Sequence, residues 1–153
     1  MKREIEIVAR GVCVKAGKLL VCRTQGAAIT YLPGGHVEFA EGAAEAVSRE
    51  IREELGKGCR VTRFLGCVEH VYRQKGRKHA ELNLVFEVTL AGIEAGRDPT
   101  SREAHLDFFW IPMTDLKGGR LEPALLQQAL PAWLKRRTAA GWGSTIENSP
   151  EKD

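Results

Sequence analysis

The 153-residue chain contains no apolar run near the roughly 20 residues that a membrane helix needs. Its first residues, MKREIEIVAR, are partly basic but carry no apolar core of a leader, so no secretory signal is expected. Cysteines are few (Cys13, Cys22, Cys59 and Cys67), and no two form a CxxC pair. Each lies in or beside an apolar stretch, which favours buried reduced thiols over disulfides or a zinc site. A large excess of one charge is also missing. The net charge of +3 is too small to argue for nucleic acid. No internal repeat or linker interrupts the chain. A mass of 16.9 kDa with 43% hydrophobic residues suits one ordinary core. These absences leave a single cytoplasmic domain over residues 1–140, followed by a polar tail, 141–153, expected to fray.

What remains is a pattern of short strands with one early and one late helix. Ile5–Val14 and Leu19–Arg23 flank Ala16, Gly17 and Lys18 and read as a hairpin. Val61–Tyr72 and Glu81–Leu90 are β-rich and joined by the basic segment RQKGRKHA. Residues 92–104 are polar, contain Pro99 and read as a loop, and Phe108–Ile111 reads as a further strand. Helical periodicity covers Ala43–Leu55 and returns at Leu121–Arg137. The pattern implies an α/β domain with a mixed central sheet between helices.

The densest chemistry lies on the first helix. Glu50, Glu53 and Glu54 stand at i, i+3 and i+4, spacings that bring side chains together. Three like charges repel, so a cation is the natural missing partner. Oxygen-only ligands suit a hard ion such as Mg²⁺ or Mn²⁺ rather than zinc. A solvated acidic face is the plain alternative, but the helical wheel weighs against it. Ala43, Val47, Ile51 and Leu55 form the apolar stripe, and Glu50 and Glu54 flank Val47 at its margin. Carboxylates held there are costly unless paired or metal-bound.

The segment 35–56, GHVEFAEGAAEAVSREIREELG, resembles the signature of the Nudix hydrolases, G-x5-E-x7-R-E-U-x-E-E-x-G-U, with U aliphatic. Gly35, Glu41, Arg49, Glu50, Ile51, Glu53, Glu54 and Gly56 match. Lys57 stands where the family prefers an aliphatic residue. The resemblance implies an α/β/α sandwich whose box forms a loop-helix-loop. It further implies metal-dependent cleavage of a diphosphate linkage in a nucleoside diphosphate derivative.

By that resemblance Glu50 and Glu54 are the main metal ligands, the Gly35 carbonyl contributes, and Glu53 assists the metal or the nucleophile. Glu41 and Arg49 pair as architecture. The general base varies in the family, and Glu103 is the candidate here, although an exposed loop glutamate explains it equally well. Arg23 is a candidate for phosphate contact, and His79 and Asn83 for base or ribose, while a polar strand face accounts for the last two as readily. Phe109 and Trp110 fit either base stacking or core.

Nucleoside triphosphates, including damaged ones, and nucleotide sugars form the default substrate class. An RNA 5′-end or dinucleoside polyphosphate is an alternative substrate, and a non-catalytic nucleotide-binding module is an alternative class. The retained glutamates favour the enzyme. The expected partner is a small nucleotide, with membrane and nucleic acid disfavoured and a homodimer left open.

Overall fold

In the computed structural model, which describes residues 3–136 and 139–146, two two-residue loops organise the strands. The first, Ala16–Gly17, has φ of 48° and 72° and joins β2 (Val14–Lys15) to β3 (Lys18–Thr24). The second, Lys75–Gly76, has φ of 51° and 76° and joins β5 (Cys59–Gln74) to β6 (Arg77–Leu90). Paired positive φ values match the right-handed twist of tight hairpins, and glycine supplies the second at no steric cost. The basic segment is therefore mostly strand, with only two residues in the turn.

β1 (Ile5–Val12) does not belong to the first hairpin, contrary to the sequence expectation. It runs parallel to β6 and antiparallel to β4 (Gly34–His36), and the chain changes sheets at Cys13. Apolar alternation marks both sides of that switch equally, so pattern alone joined what pairing separates. The result is a mixed five-stranded sheet, β4-β1-β6-β5-β8, and an antiparallel three-stranded sheet, β2-β3-β7, with β7 at Leu106–Pro112 and β8 at Gly141–Ser144. This bears out an α/β fold, although the single expected sheet is divided in two.

Helix α1 (Ala43–Leu55) forms over the residues its periodicity marks, and buries Ala46, Val47, Ile51 and Leu55 against Ala9, Leu20 and Val88. Helix α2 begins later than expected, at Leu126, and runs to Lys135. Leu121 is instead drawn into a bridge with Thr30, whose amide and carbonyl bond Arg120 and Glu122. Arg137 lies outside the described residues. α2 packs Leu126, Leu130 and Trp133 into a second core with Leu65, Val68 and Val85.

The start of the predicted tail is also corrected. Gly141–Ser144 forms strand β8, parallel to β5. A Cβ on Gly141 would lie 2.0 Å from the Trp133 ring, and one on Gly66 would lie 2.7 Å from the Gly141 carbonyl. Missing side chains thus let this strand dock where polarity predicted fraying; residues 147–153 lie outside the described set. No described helix is long and apolar enough to cross a membrane.

Candidate active site

The box helix is framed by glycine at both ends. Gly42 is the N-cap, and its amide donates to Glu45 Oε2 at 3.3 Å. Gly56 closes the helix in the left-handed region at φ 65°. The preceding turn needs Gly34, at φ 139°, because a Cβ there would meet the Ala9 carbonyl oxygen at 2.0 Å. Pairing β4 with β1 in this way sets Gly35 against the helix. A Cβ on Gly35 would lie 2.4 Å from Glu50 Cδ, so the absence of a side chain keeps the space above that carboxylate open.

Arg49 ties loop to helix. Its Nε donates to Glu41 Oε1 at 2.6 Å and its Nη2 to Glu41 Oε2 at 3.1 Å, a two-pronged contact. Glu41 Oε2 also accepts from the Glu38 amide at 3.0 Å. The guanidinium and that amide hold the Glu41 carboxyl below the ordinary carboxylate range. Arg49 Nη1 reaches Glu50 Oε1 at 3.0 Å and Glu53 Oε2 at 3.3 Å, while Nη2 reaches the His36 carbonyl at 3.0 Å. The architectural pair expected from the sequence therefore also positions two of the expected ligands.

Glu54 has a different environment. It is only 8% exposed, and its Oε2 is buried with no hydrogen-bond partner. Burial first, then the Glu50 charge, pushes its carboxyl up to about 8, with Glu103 and Glu53 adding to the rise and Arg10 opposing it. The Glu103 contribution brings the candidate base into the field of the box. The backbone explains how: the Arg102 amide donates to the Glu54 carbonyl at 2.7 Å, stitching the 92–104 loop to the helix end.

Among the described residues no three His, Cys, Asp or Glu side chains already converge as a closed metal cage. The donors nevertheless fit a hard cation. An unpartnered buried carboxylate oxygen on Glu54, an adjacent Glu50 and an open backbone face at Gly35 are all oxygen donors. A cation is the partner that would relieve both the burial and the repulsion.

Beside the box lies a cleft of about 510 Å³. Arg10, Tyr31, His36, Tyr72, Glu81 and Asn83 are among its lining residues. Arg10 sits over the Tyr31 ring at 5.4 Å and donates to the Leu32 carbonyl at 3.1 Å. Asn83 thus stands where a substrate could reach it. His79 stacks on Tyr72 at 5.0 Å and contacts Glu6, so it backs the cleft wall. Arg23 does not join them. It lies over Phe109 at 4.8 Å and near Asp107 at 3.8 Å, in a second hollow that Trp110 and the candidate base Glu103 also line. Arg10, Tyr72 and Glu81 were not singled out from the sequence as cleft residues. Their shared face appears only once β1, β5 and β6 pair.

Comparison with known proteins identifies the family. The NUDIX domain family matches residues 6–135. The chain belongs to the Nudix family and is a pyrophosphohydrolase of that family. It is 24% identical over 131 residues to the putative 8-oxo-dGTP diphosphatase YtkD of Bacillus subtilis (strain 168), covering 86% of this chain and 80% of that one. The MutT protein from Methanosarcina mazei Go1 shares its fold at a TM-score of 0.68 and 19% identity, over 88% of this chain and 96% of that one. A MutT NUDIX hydrolase from Burkholderia pseudomallei does so at 0.64 and 22%, over 88% and 100%.

Proposed function

We propose that this enzyme hydrolyses the diphosphate linkage of a nucleoside triphosphate, with nucleotide sugars as the next class, and that it requires Mg²⁺ or Mn²⁺. The observation that carries the metal requirement is the buried, unpartnered Oε2 of Glu54 beside Glu50. The likeness to a putative 8-oxo-dGTP diphosphatase supports the triphosphate class, damaged forms included.

Glu50 and Glu54, with the Gly35 carbonyl and Glu53, would hold the ion. When bound, the ion neutralises phosphate charge and lowers the pKa of a water. Arg49 keeps Glu50 and Glu53 oriented, since one guanidinium nitrogen contacts both. Glu103, which raises the Glu54 carboxyl from across the loop, is the group proposed to accept the water's proton. Arg10, between Glu54 and the cleft, supplies positive charge along the phosphate path. Asn83, with His79 behind it, belongs to the nucleoside end, and Arg23, in the hollow that Glu103 also lines, stays the candidate for phosphate contact. Four free cysteines, two of them buried, accord with the cytoplasm as the proposed compartment.

The test is a panel of nucleoside triphosphates and nucleotide sugars incubated with and without Mg²⁺, with products separated by ion-exchange chromatography. Metal-dependent release of monophosphate and pyrophosphate from triphosphates is expected. No metal-dependent product from any member, or full turnover in excess chelator, would sink the proposal.

A further inference from the structure

The floor of the cleft contains hydrogen bonds that fix the direction of one amide. Asn83 lines the cleft although it is only 2% exposed. Its Nδ2 donates to Glu81 Oε2 at 3.3 Å, and the Tyr72 hydroxyl donates to Glu81 Oε1 at 2.9 Å. Both oxygens of Glu81 are therefore engaged from within the protein. An ionised carboxylate only accepts, so the Asn83 atom facing it is the nitrogen. The opposite end of the amide, Asn83 Oδ1, is left facing away from Glu81.

The amide cannot turn over to suit a different ligand. Reversal would break the bond to Glu81 and set a carbonyl oxygen against a carboxylate. The supports are themselves constrained: Tyr72 stacks between His70 at 5.2 Å and His79 at 5.0 Å, and His70 Nδ1 is 3.0 Å from Thr145 Oγ1. Asn83 thus offers an acceptor, with the second Nδ2 hydrogen beside it, in one fixed order.

We infer that Asn83, held by Glu81, makes this site select nucleotides whose base sets an amino donor beside a ring-nitrogen acceptor on its Watson–Crick edge, adenine or cytosine, over the keto counterparts hypoxanthine and uracil. The inference rests on the proposed nucleotide reading of the cleft. An amino group donates to Oδ1, and N1 of adenine or N3 of cytosine accepts from Nδ2, a two-pronged pairing analogous to the one asparagine makes with the N6/N7 edge of adenine in nucleic-acid recognition. Hypoxanthine and uracil present the reverse order at nearly identical shape, so two lone pairs would face each other and two hydrogens would clash. Sites built around such hydrogen bonds discriminate far more strongly than apolar pockets do.

The experiment compares ATP with ITP and CTP with UTP, by kcat/KM with Mg²⁺ and by calorimetric Kd with excess chelator. We expect the amino member of each pair to be favoured by about 10- to 100-fold in both measures, a size set by one or two buried hydrogen bonds. Asn83→Leu, of similar size, should erase the preference by weakening only ATP and CTP. Glu81→Gln lets the amide reverse and should shrink the preference by improving ITP and UTP, which mere loosening of the wall would not do. Equal Kd values within both pairs, or an Asn83→Leu variant that weakens all four nucleotides alike, overturns the inference. Amino-selective binding without turnover of any nucleotide upholds it and overturns the proposed activity instead.

Discussion

Glu41 and Glu54 belong to the same box, yet the fold treats them in opposite ways. Glu41 accepts two bonds from Arg49 and one from the Glu38 amide, and its carboxyl is held below the usual range. Glu54 is more deeply buried, carries an oxygen with no partner, and is pushed up to about 8. One end of the helix is satisfied within the protein, and the other is left for something else to satisfy. Local rules are obeyed at Glu41 and broken at Glu54, and functional sites are where such breaks are expected.

The sharpest way to break the comparison is Glu54→Gln. Turnover should fall by at least about 10²-fold, the scale on which loss of one electrostatic contact at a reacting centre is felt. Without metal the variant should melt no lower than the parent, because folding no longer has to protonate Glu54 or bury its charge beside Glu50. Its stabilisation by Mg²⁺ should shrink, since a ligand stabilises only through its affinity for the folded state. Melting curves with and without Mg²⁺ decide the matter: a variant that melts lower without metal and still responds fully would make Glu54 a structural residue.

Arg49→Ala attacks the satisfied end. It strips Glu41 of its guanidinium and leaves Glu50 and Glu53 without their shared anchor. Arg49 is only partly exposed, so a loss of about 1–3 kcal/mol is expected after discounting for solvent screening, together with lower activity. Urea midpoints would check it; a shift near zero would mean that loop and helix hold together by packing alone.

Glu53→Gln should separate the two behaviours within one residue. Its side chain is 55% exposed, so the urea midpoint should stay within about 0.5 kcal/mol of the parent. Turnover should drop by about tenfold or more, the low end for an assisting carboxylate. Parental turnover would remove Glu53 from the chemistry.

A pH slope tests the comparison without any substitution. Because the folded state holds Glu54 protonated up to about 8, against an ordinary carboxylate value of 4.5, the folded chain binds more protons between those limits. Stability of the metal-free protein should therefore fall as pH rises through that window, by at most about 1.4 kcal/mol per pH unit from this group. Denaturant unfolding at pH 5, 6.5 and 8 should show the slope in the parent and a flatter one in Glu54→Gln. Identical slopes would place the proton elsewhere.

Much of this contrast is legible in the amino-acid order alone. The stripe Ala43, Val47, Ile51 and Leu55 and the flanking glycines predict the helix within the bounds it adopts. The same wheel sets Glu54 at the core margin. The pairing of Arg49 with Glu41 follows from the family resemblance, and the structure adds that the same guanidinium also grips Glu50 and Glu53. Sequence patterns mislead where strand pairing decides. Alternation from Ile5 to Val14 cannot reveal a change of sheet at Cys13, and polarity after Gly141 cannot reveal that Trp133 requires glycines beside it. Arg23 follows a strand, and only the paired three-stranded sheet shows that its side chain lies over Phe109 in the hollow that Glu103 also lines.

By itself the sequence determined the helix, its glycine ends and the crowding of carboxylates on one face, because these depend on spacing within a few turns. Tertiary structure decided which carboxylate is left without a partner and which residues share the cleft. Arg10 comes from β1, Tyr72 from β5, and Glu81 and Asn83 from β6, and only pairing of these distant segments puts them on one face. Burial and desolvation depend on everything packed around a group, so no local pattern could have announced the raised Glu54 carboxyl or the fixed Asn83 amide.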